Sequence, residues 1–282
     1  MTKARRIVVM ISGASGRMGR ALLKLVLADS TFHLIGGLVR ADSSARGADL
    51  GTLAGLPPCG IVAQTRPAPA MLAETDLLID FSHPDQTRAL LAPTIAAGVA
   101  LLVGTTGLDM KAQRAVRVAA RRIPLLTAAN TALGMNVLFH LVEQAARMLP
   151  DAWHAEIFEA HHAGKIDAPS GSALALSGWI ARGRGRPLAN TGGDARWGRG
   201  RPREKDEVGF AVMRGGDVVG EHRVFFLGAG ERIELAHQVN DRDIFARGAL
   251  AAGRWLVDQK PGLYGMRDFL GGALEQPQTR QG

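Results

Sequence analysis

The sequence predicts an α/β protein with a parallel sheet at its N-terminus, followed by an α+β domain built on a mixed sheet. Short apolar runs alternate with helical patterns up to about residue 130, which argues for parallel strands covered on both faces. A glycine turn, Gly13-Ala-Ser-Gly16-Arg-Met-Gly19, joins the first apolar run to the first helical pattern. Beyond Asn130 the pattern changes to longer strands separated by hairpin-type turns.

The first strand is Arg6-Ile-Val-Val-Met-Ile11, and Met18, Leu22, Leu25 and Val26 fall at helical spacing after it. Glycines so placed allow a tight turn, close approach of a pyrophosphate and close helix packing, which is the Rossmann-type dinucleotide arrangement. The spacing, Gly-x-x-Gly-x-x-Gly, is one residue looser than the commonest form. A plain glycine turn is the alternative, and the strand-turn-helix context favours the nucleotide. Gly13, Ala14, Ser15, Gly16, Arg17 and Met18 are therefore candidate cofactor contacts. Further strands are expected near residues 32–39, 76–81, 99–103 and 123–127.

The second strand ends in Val39-Arg40, where an acidic residue would hold the adenine ribose of NAD. An Arg suits a 2′-phosphate instead, so NADPH is the expected cofactor, with NADH possible and Arg17 as a second contact. Asp42 could still reach a ribose, and an exposed strand-end charge is the bland alternative for Arg40. The stretches Thr75–Pro84 and Ala100–Gly107 both end in turn residues. Ligands of open α/β sheets bind beyond such strand ends, which makes Gly104, Thr105 and Thr106 a candidate nicotinamide-side loop. A turn that merely needs glycine is the other reading.

The densest chemistry lies between a strand pattern, Ala155-Glu-Ile-Phe-Glu159-Ala, and a helix pattern, Ser172–Ile180. That loop holds His161, His162, Lys165, Asp167, Pro169, Ser170 and Gly171. Pro169 can open the helix, leaving Ser170, Gly171 and Ser172 to offer backbone N–H groups and hydroxyls to a carboxylate or phosphate at the positive end of the helix dipole. Lys165 adds a point charge, and His161 or His162 could deliver a proton near neutral pH. The loop thus suits a small anion with a carbonyl-like or imine-like centre. The alternative is a solvated polar loop with one structural histidine. No metal is expected, because adjacent histidines on a strand face opposite ways and no further ligand completes a tetrahedral set.

The later strand patterns cover 207–217, 218–226 and 231–237, read as antiparallel with a hairpin at Gly216-Asp217, and a helix over Ile244–Val257 is expected to return to the first domain. Three segments result: a dinucleotide-binding domain (1–130), a second domain (131–240) that carries the histidine loop, and a return helix and tail (241–282). Composition fits a cytoplasmic enzyme: 282 residues, 46% hydrophobic, and one cysteine, Cys59, which excludes an internal disulfide framework. The basic N-terminus precedes an apolar run too short for a secretory signal. Residues 89–108 carry no charge, but Pro93, Gly98, Gly104 and Gly107 break them, so no membrane span is expected. The net charge of +8 is concentrated in Arg182–Lys205, with eight basic residues and one aromatic, Trp197. That is poor for base stacking, and a long solvated loop is preferred to nucleic-acid binding.

Taken together, these motifs resemble the dihydrodipicolinate reductase family, also called 4-hydroxy-tetrahydrodipicolinate reductase. The resemblance covers nearly the whole chain through Gly13–Gly19, Asp80-Phe-Ser82, Gly104–Gly107, Glu159-Ala-His-His with Lys165–Ser172, Gly216–His222 and Gly262–Asp268. It implies NAD(P)H-dependent reduction of a cyclic imine dicarboxylate in lysine and diaminopimelate biosynthesis, by a homotetramer. It also implies that His161 is the general acid, that Lys165 holds a substrate carboxylate and polarises the imine, and that His162, Gly171 and Ser172 bind substrate. Gly104–Thr106 and Ala128, Ala129 and Asn130 would line the nicotinamide. The chain departs from the family pattern at Val39, at Thr131-Ala132, at Ser172, which keeps its hydroxyl, and over the Arg-rich residues 196–205.

Overall fold

The computed structural model describes residues 5–188, 203, 204 and 206–275. The chain divides into two compact units, one formed by Met1–Leu133 with Asp243–Gly282 and the other by Gly134–Arg242.

In the first unit, strands and helices alternate as β1 (Ile7–Ser12), α1 (Arg17–Ala28), β2 (Phe32–Leu38), α2 (Leu50–Leu53), β3 (Ala63–Gln64), α3 (Pro69–Glu74), β4 (Leu77–Asp80), α4 (Pro84–Ala97), β5 (Ala100–Val103), α5 (Met110–Ala119) and β6 (Pro124–Thr127). Strands β4 and β5 are buried throughout, which explains their unbroken apolar runs: a parallel strand covered on both faces has no polar side to show. Helix α1 buries Gly19, Leu22, Leu23 and Val26 on one stripe. Pro93 does not break α4, contrary to the sequence expectation. The helix continues through it and stops at Gly98, whose φ of 69° is the left-handed cap that glycine adopts without strain.

In the second unit, α6 (Leu133–Met148) leads to β7 (His154–His161), α7 (Gly171–Arg184), β8 (Val208–Arg214), β9 (Gly220–Leu227) and β10 (Arg232–Val239). These strands form a mixed sheet in the order β10-β9-β7-β8. The expected hairpin between β8 and β9 is absent. β8 runs parallel to β7 on one side and β9 antiparallel to it on the other, so β7 separates them. The connecting turn passes the end of β7, where Gly215 N–H donates to His161 O at 3.0 Å and Ala163 N–H donates to Gly216 O at 3.1 Å. Three strand ends are thereby gathered around His161. The antiparallel pairing of β9 with β10 agrees with the sequence reading.

The chain then returns through α8 (Asp243–Leu256), β11 (Gly262–Tyr264) and α9 (Met266–Glu275). Helix α8 packs on α1, and β11 adds to the edge of the parallel sheet, whose order among the described residues is β11-β6-β5-β4-β1-β2-β3. The order reverses at β1, between β2 and β4, and a crevice opens at such a switch point beyond the carboxyl ends of the strands. No described helix is long and apolar enough to cross a membrane.

A Cβ at Gly19 would overlap Gly13 O and the Ala14 backbone, whereas one at Gly178, exposed on α7, meets nothing within 4 Å. Gly19→Ala should therefore cost about 1–3 kcal/mol, the usual cost of overpacking. Gly178→Ala should be neutral or stabilise by up to about 1 kcal/mol, as Ala does relative to Gly within a helix. Urea unfolding of the two variants checks both signs.

Candidate active site

The predicted nucleotide residues follow the carboxyl ends of β1, β2, β5 and β6. Gly13 and Ala14 N–H groups both donate to Leu38 O at 3.0 Å, and Gly16 N–H closes the turn on Gly13 O at 2.9 Å. Gly16 caps α1 without a side-chain hydrogen bond, so Arg17 and Met18 open a helix whose first turn no side chain satisfies. A Cβ at Gly13 would overlap Phe81 O. An uncapped helix start beside a turn that only glycine can make fits a pyrophosphate.

Gly104 lies against the Phe81 ring, and Thr105 joins a buried knot around Asp80. Asp80 accepts hydrogen bonds from Ser82 Oγ and Thr87 Oγ1, both at 2.5 Å, and from Thr105 Oγ1 at 3.1 Å. One carboxylate thus fixes the end of β4, the start of α4 and the loop after β5. Ala128 N–H donates to Val103 O, and Asn130 Oδ1 accepts from Ala132 N–H at 2.9 Å, which sets the loop of Ala128, Ala129 and Asn130 after β6. Arg40 stands exposed beyond β2, 3.4 Å from Asp42, while Val39 before it is buried.

In the second unit, alternation along β7 puts Glu159 and His161 on one face. Glu159 is fully buried and accepts from both guanidinium nitrogens of Arg214, at 2.7 and 2.8 Å, from Ser170 N–H at 3.0 Å, and shares a 2.5 Å hydrogen bond with His161 Nδ1. Burial acts to raise the Glu159 carboxyl, but Arg214, His161 and the Ser170 amide outweigh it and hold the group below its ordinary range. Burial depresses His161 despite the opposing pull of Glu159, with Lys165 and Arg214 pushing the same way as burial. His222, opposite Glu159 on β9, shares a 3.0 Å hydrogen bond with Ser170 Oγ and stands edge-on to His161 with ring centroids 5.2 Å apart. Burial, then the neighbouring His161, His237 and Lys165, push it down to about 4.

Ser170, not Pro169, caps α7: its Oγ accepts from Ala173 N–H, and Pro169 lies one residue before the cap. The Ser170 amide is taken by Glu159, so of the three residues expected to offer N–H groups, Gly171 and Ser172 are the ones that open the helix. Lys165 is held by Asp167 at 2.6 and 2.7 Å, and its own N–H donates to His162 O at 3.1 Å, closing the tight turn that carries both side chains. His162, half-buried, follows the end of β7. Among the described residues no group of histidine, cysteine or carboxylate side chains could hold a metal.

Sequence reasoning gave no role to Glu159, Arg214, His222 or Asp80. Glu159 carried a signal, two positions before His161 on one strand face. Arg214 carried none, since 55 residues separate it from Glu159. Residues 189–202 and Lys205 of the Arg-rich segment lie outside the described residues. Of those described, Arg182 and Arg184 end α7 rather than starting a loop. Arg182 pairs with Glu143, Arg186 with Asp151 and Asp206, and Arg203 with Glu156.

An uncapped helix start at the switch point of a parallel sheet suits a dinucleotide, and the second unit holds a histidine hydrogen-bonded to a buried carboxylate beside a second helix start; by class this is a nicotinamide-nucleotide oxidoreductase. Residues 7–131 match the family model for the dihydrodipicolinate reductase N-terminus, and residues 134–270 match that for its C-terminus. The chain belongs to the dihydrodipicolinate reductase family. It is 44% identical over 263 residues to the 4-hydroxy-tetrahydrodipicolinate reductase of Thiobacillus denitrificans, covering 93% of this chain and 98% of that one. It is also 44% identical over 266 residues to the enzyme of that name from Parvibaculum lavamentivorans, covering 94% and 98%. The fold matches that of dihydrodipicolinate reductase from Paenisporosarcina sp. TG-14, solved with dipicolinate bound, at a TM-score of 0.77 and 22% identity over 94% of this chain and 99% of that one.

Because His222 titrates at about 4 when folded and near 6.5 when unfolded, the unfolded chain binds more protons between those values. Stability should therefore fall as pH drops through that window, by up to roughly 3 kcal/mol from this one group. Urea unfolding at pH 7 and pH 5 should show a smaller loss in His222→Gln than in the wild type; equal losses would show that His222 is not kept neutral.

Proposed function

We propose that this chain reduces 4-hydroxy-tetrahydrodipicolinate to tetrahydrodipicolinate with a nicotinamide dinucleotide, the reductive step in lysine and diaminopimelate biosynthesis. The observation that carries the site assignment is that one buried carboxylate, Glu159, holds both His161 and the α7 start, with Lys165 on the loop between them close enough to act on His161. The bound nicotinamide supplies hydride from its C4. Loss of the 4-hydroxyl as water leaves a conjugated imine, which takes the hydride while its electron pair moves toward nitrogen, and His161 donates the balancing proton. Lys165 exchanges Asp167 for one substrate carboxylate and draws electron density from the imine, while Gly171 and Ser172 cradle the other carboxylate at the helix start, with His162 beside them.

The residues of the first unit fit the dinucleotide: the turn from Gly13 to Met18 takes the pyrophosphate, and Gly104–Thr106 with Ala128–Asn130 flank the nicotinamide. Arg40, exposed and only loosely paired with Asp42, favours the 2′-phosphate of NADPH, with Arg17 as a second contact and NADH as the weaker cofactor. The working assembly we infer is a cytoplasmic homotetramer formed through the second unit, acting on a small dicarboxylate, with neither nucleic acid nor membrane as a partner.

Oxidation of NADPH and NADH is followed with freshly made product of the aldol condensation of pyruvate and aspartate semialdehyde. Wild type should consume cofactor only when that product is present, and His161→Ala should turn over about 10²- to 10⁴-fold more slowly, the usual worth of a general acid. Lys165→Ala should lose about 10²-fold or more; near-normal turnover in that variant would refute the site.

Arg40→Val should weaken NADPH binding by about 10- to 100-fold, the worth of a charge-assisted hydrogen bond, and NADH far less. Fluorescence titration of the two nucleotides distinguishes this from a general loss, since equal weakening would remove Arg40 from phosphate recognition.

A further inference from the structure

We propose that Glu159 and Arg214 are a positioning pair for His161: they hold its proton on Nδ1 and leave Nε2 as the atom that passes a proton to the substrate, while tying the histidine to the helix start that receives the substrate carboxylate. This rests on the reading of His161 as the proton donor. Nδ1 is 2.5 Å from Glu159 Oε2, so the ring nitrogen facing the carboxylate carries the hydrogen, and Nε2 is the atom left to exchange. Room for Nε2 comes from Gly220, where even a Cβ would stand only 3.2 Å from it.

Arg214 keeps Glu159 an acceptor. Its two nitrogens bind both carboxylate oxygens, and NH2 also donates to Asp167 O at 2.7 Å, which fastens the Lys165 loop to the same point. The remaining capacity of Oε1 takes the Ser170 amide at the cap of α7. Glu159 and Arg214 together thus fix the proton donor, the loop bearing the cation and the helix start. During transfer, the bond between Nε2 and its hydrogen breaks and the proton goes to the reduced substrate. His161 is left neutral with its Nδ1 hydrogen still donated to Glu159, which stays ionised throughout.

The groups facing His161 are Glu159 on its own strand, Arg214 on β8, His222 on β9 and Lys165 on the loop. Of these, Glu159 alone favours the protonated ring, while Lys165 and Arg214 oppose it. Glu159→Gln removes that support and presents an amide N–H to Nδ1, which drives the ring proton to Nε2. The same exchange disables the orienting carboxylate of serine proteases.

The test is ring-¹⁵N NMR of the full-length protein, with the His161 signal assigned by its loss in His161→Gln, together with the pH profile of NADPH oxidation. Neutral wild-type His161 should carry its proton on Nδ1. In Glu159→Gln the proton should move to Nε2, kcat should fall about 10²- to 10³-fold with little change in KM, and the alkaline limb should move to lower pH. A wild-type proton on Nε2 overturns the inference without any variant, so it stays refutable even if Glu159→Gln fails to fold. An unchanged tautomer in Glu159→Gln also overturns it, and leaves the role of His161 to the separate His161→Ala result. A moved proton with intact turnover overturns both the inference and His161 as the donor.

Discussion

The second unit is organised around the ion pair between Glu159 and Arg214. A carboxylate with no solvent exposure is tolerable only when its lone pairs are met, and here four contacts from three residues meet them: two from Arg214 on β8, one from Ser170 before α7 and the shared bond to His161 on β7. Removing one partner of such a pair costs about 3–5 kcal/mol, because the other charge is left buried and unmatched. That magnitude exceeds any single surface contact nearby, and it makes the sheet order consequential. Only a β8 that lies beside β7 with Arg214 in register with His161 can deliver the guanidinium, and only a β9 on the far side can bring His222 opposite Glu159.

The first unit solves a similar problem with different chemistry. Asp80 is as buried as Glu159, yet its partners are three hydroxyls rather than a guanidinium. Neutral donors give the carboxylate its hydrogen bonds without adding a fixed positive charge. The result is geometric: the loops after β4 and β5 are held to one point, and the crevice at the switch point keeps its shape.

What the sequence made legible follows from periodicity and from local turn chemistry. Buried parallel strands, the amphipathic stripe of α1, the glycine turn and the polar loop between β7 and α7 are all written within short windows, and each is found. The errors have a common origin in non-local pairing. A Gly-Asp turn announces that the chain reverses, but not that β7 will sit between the strands it joins, because β7 and β8 are far apart in sequence and pair only in the folded sheet. The short strands β3 and β11 have no alternation to read and exist through their neighbours in the parallel sheet. Pro93 was read as a breaker, yet packing of Leu90, Leu91 and Thr94 holds the helix through it. The pairing of Arg214 with Glu159 left no trace for the same reason: it is a property of register, not of spacing.

Two cations meet the loop between β7 and α7, and their surroundings assign them different work. Arg214 is spent on a fully buried carboxylate, in a two-pronged arrangement whose loss would cost several kcal/mol. Lys165 is paired with Asp167, a carboxylate that is itself 55% exposed, and such pairs contribute about 0–1 kcal/mol. An incoming carboxylate can therefore displace Asp167 at almost no cost, whereas no ligand could compete for Arg214. Planar Arg, which holds its charge at any working pH, suits the fixed role, and the compact ammonium of Lys on its flexible stem suits the exchangeable one. The division follows from burial, and it separates the side chain that maintains the site from the one whose ion pair is exchangeable.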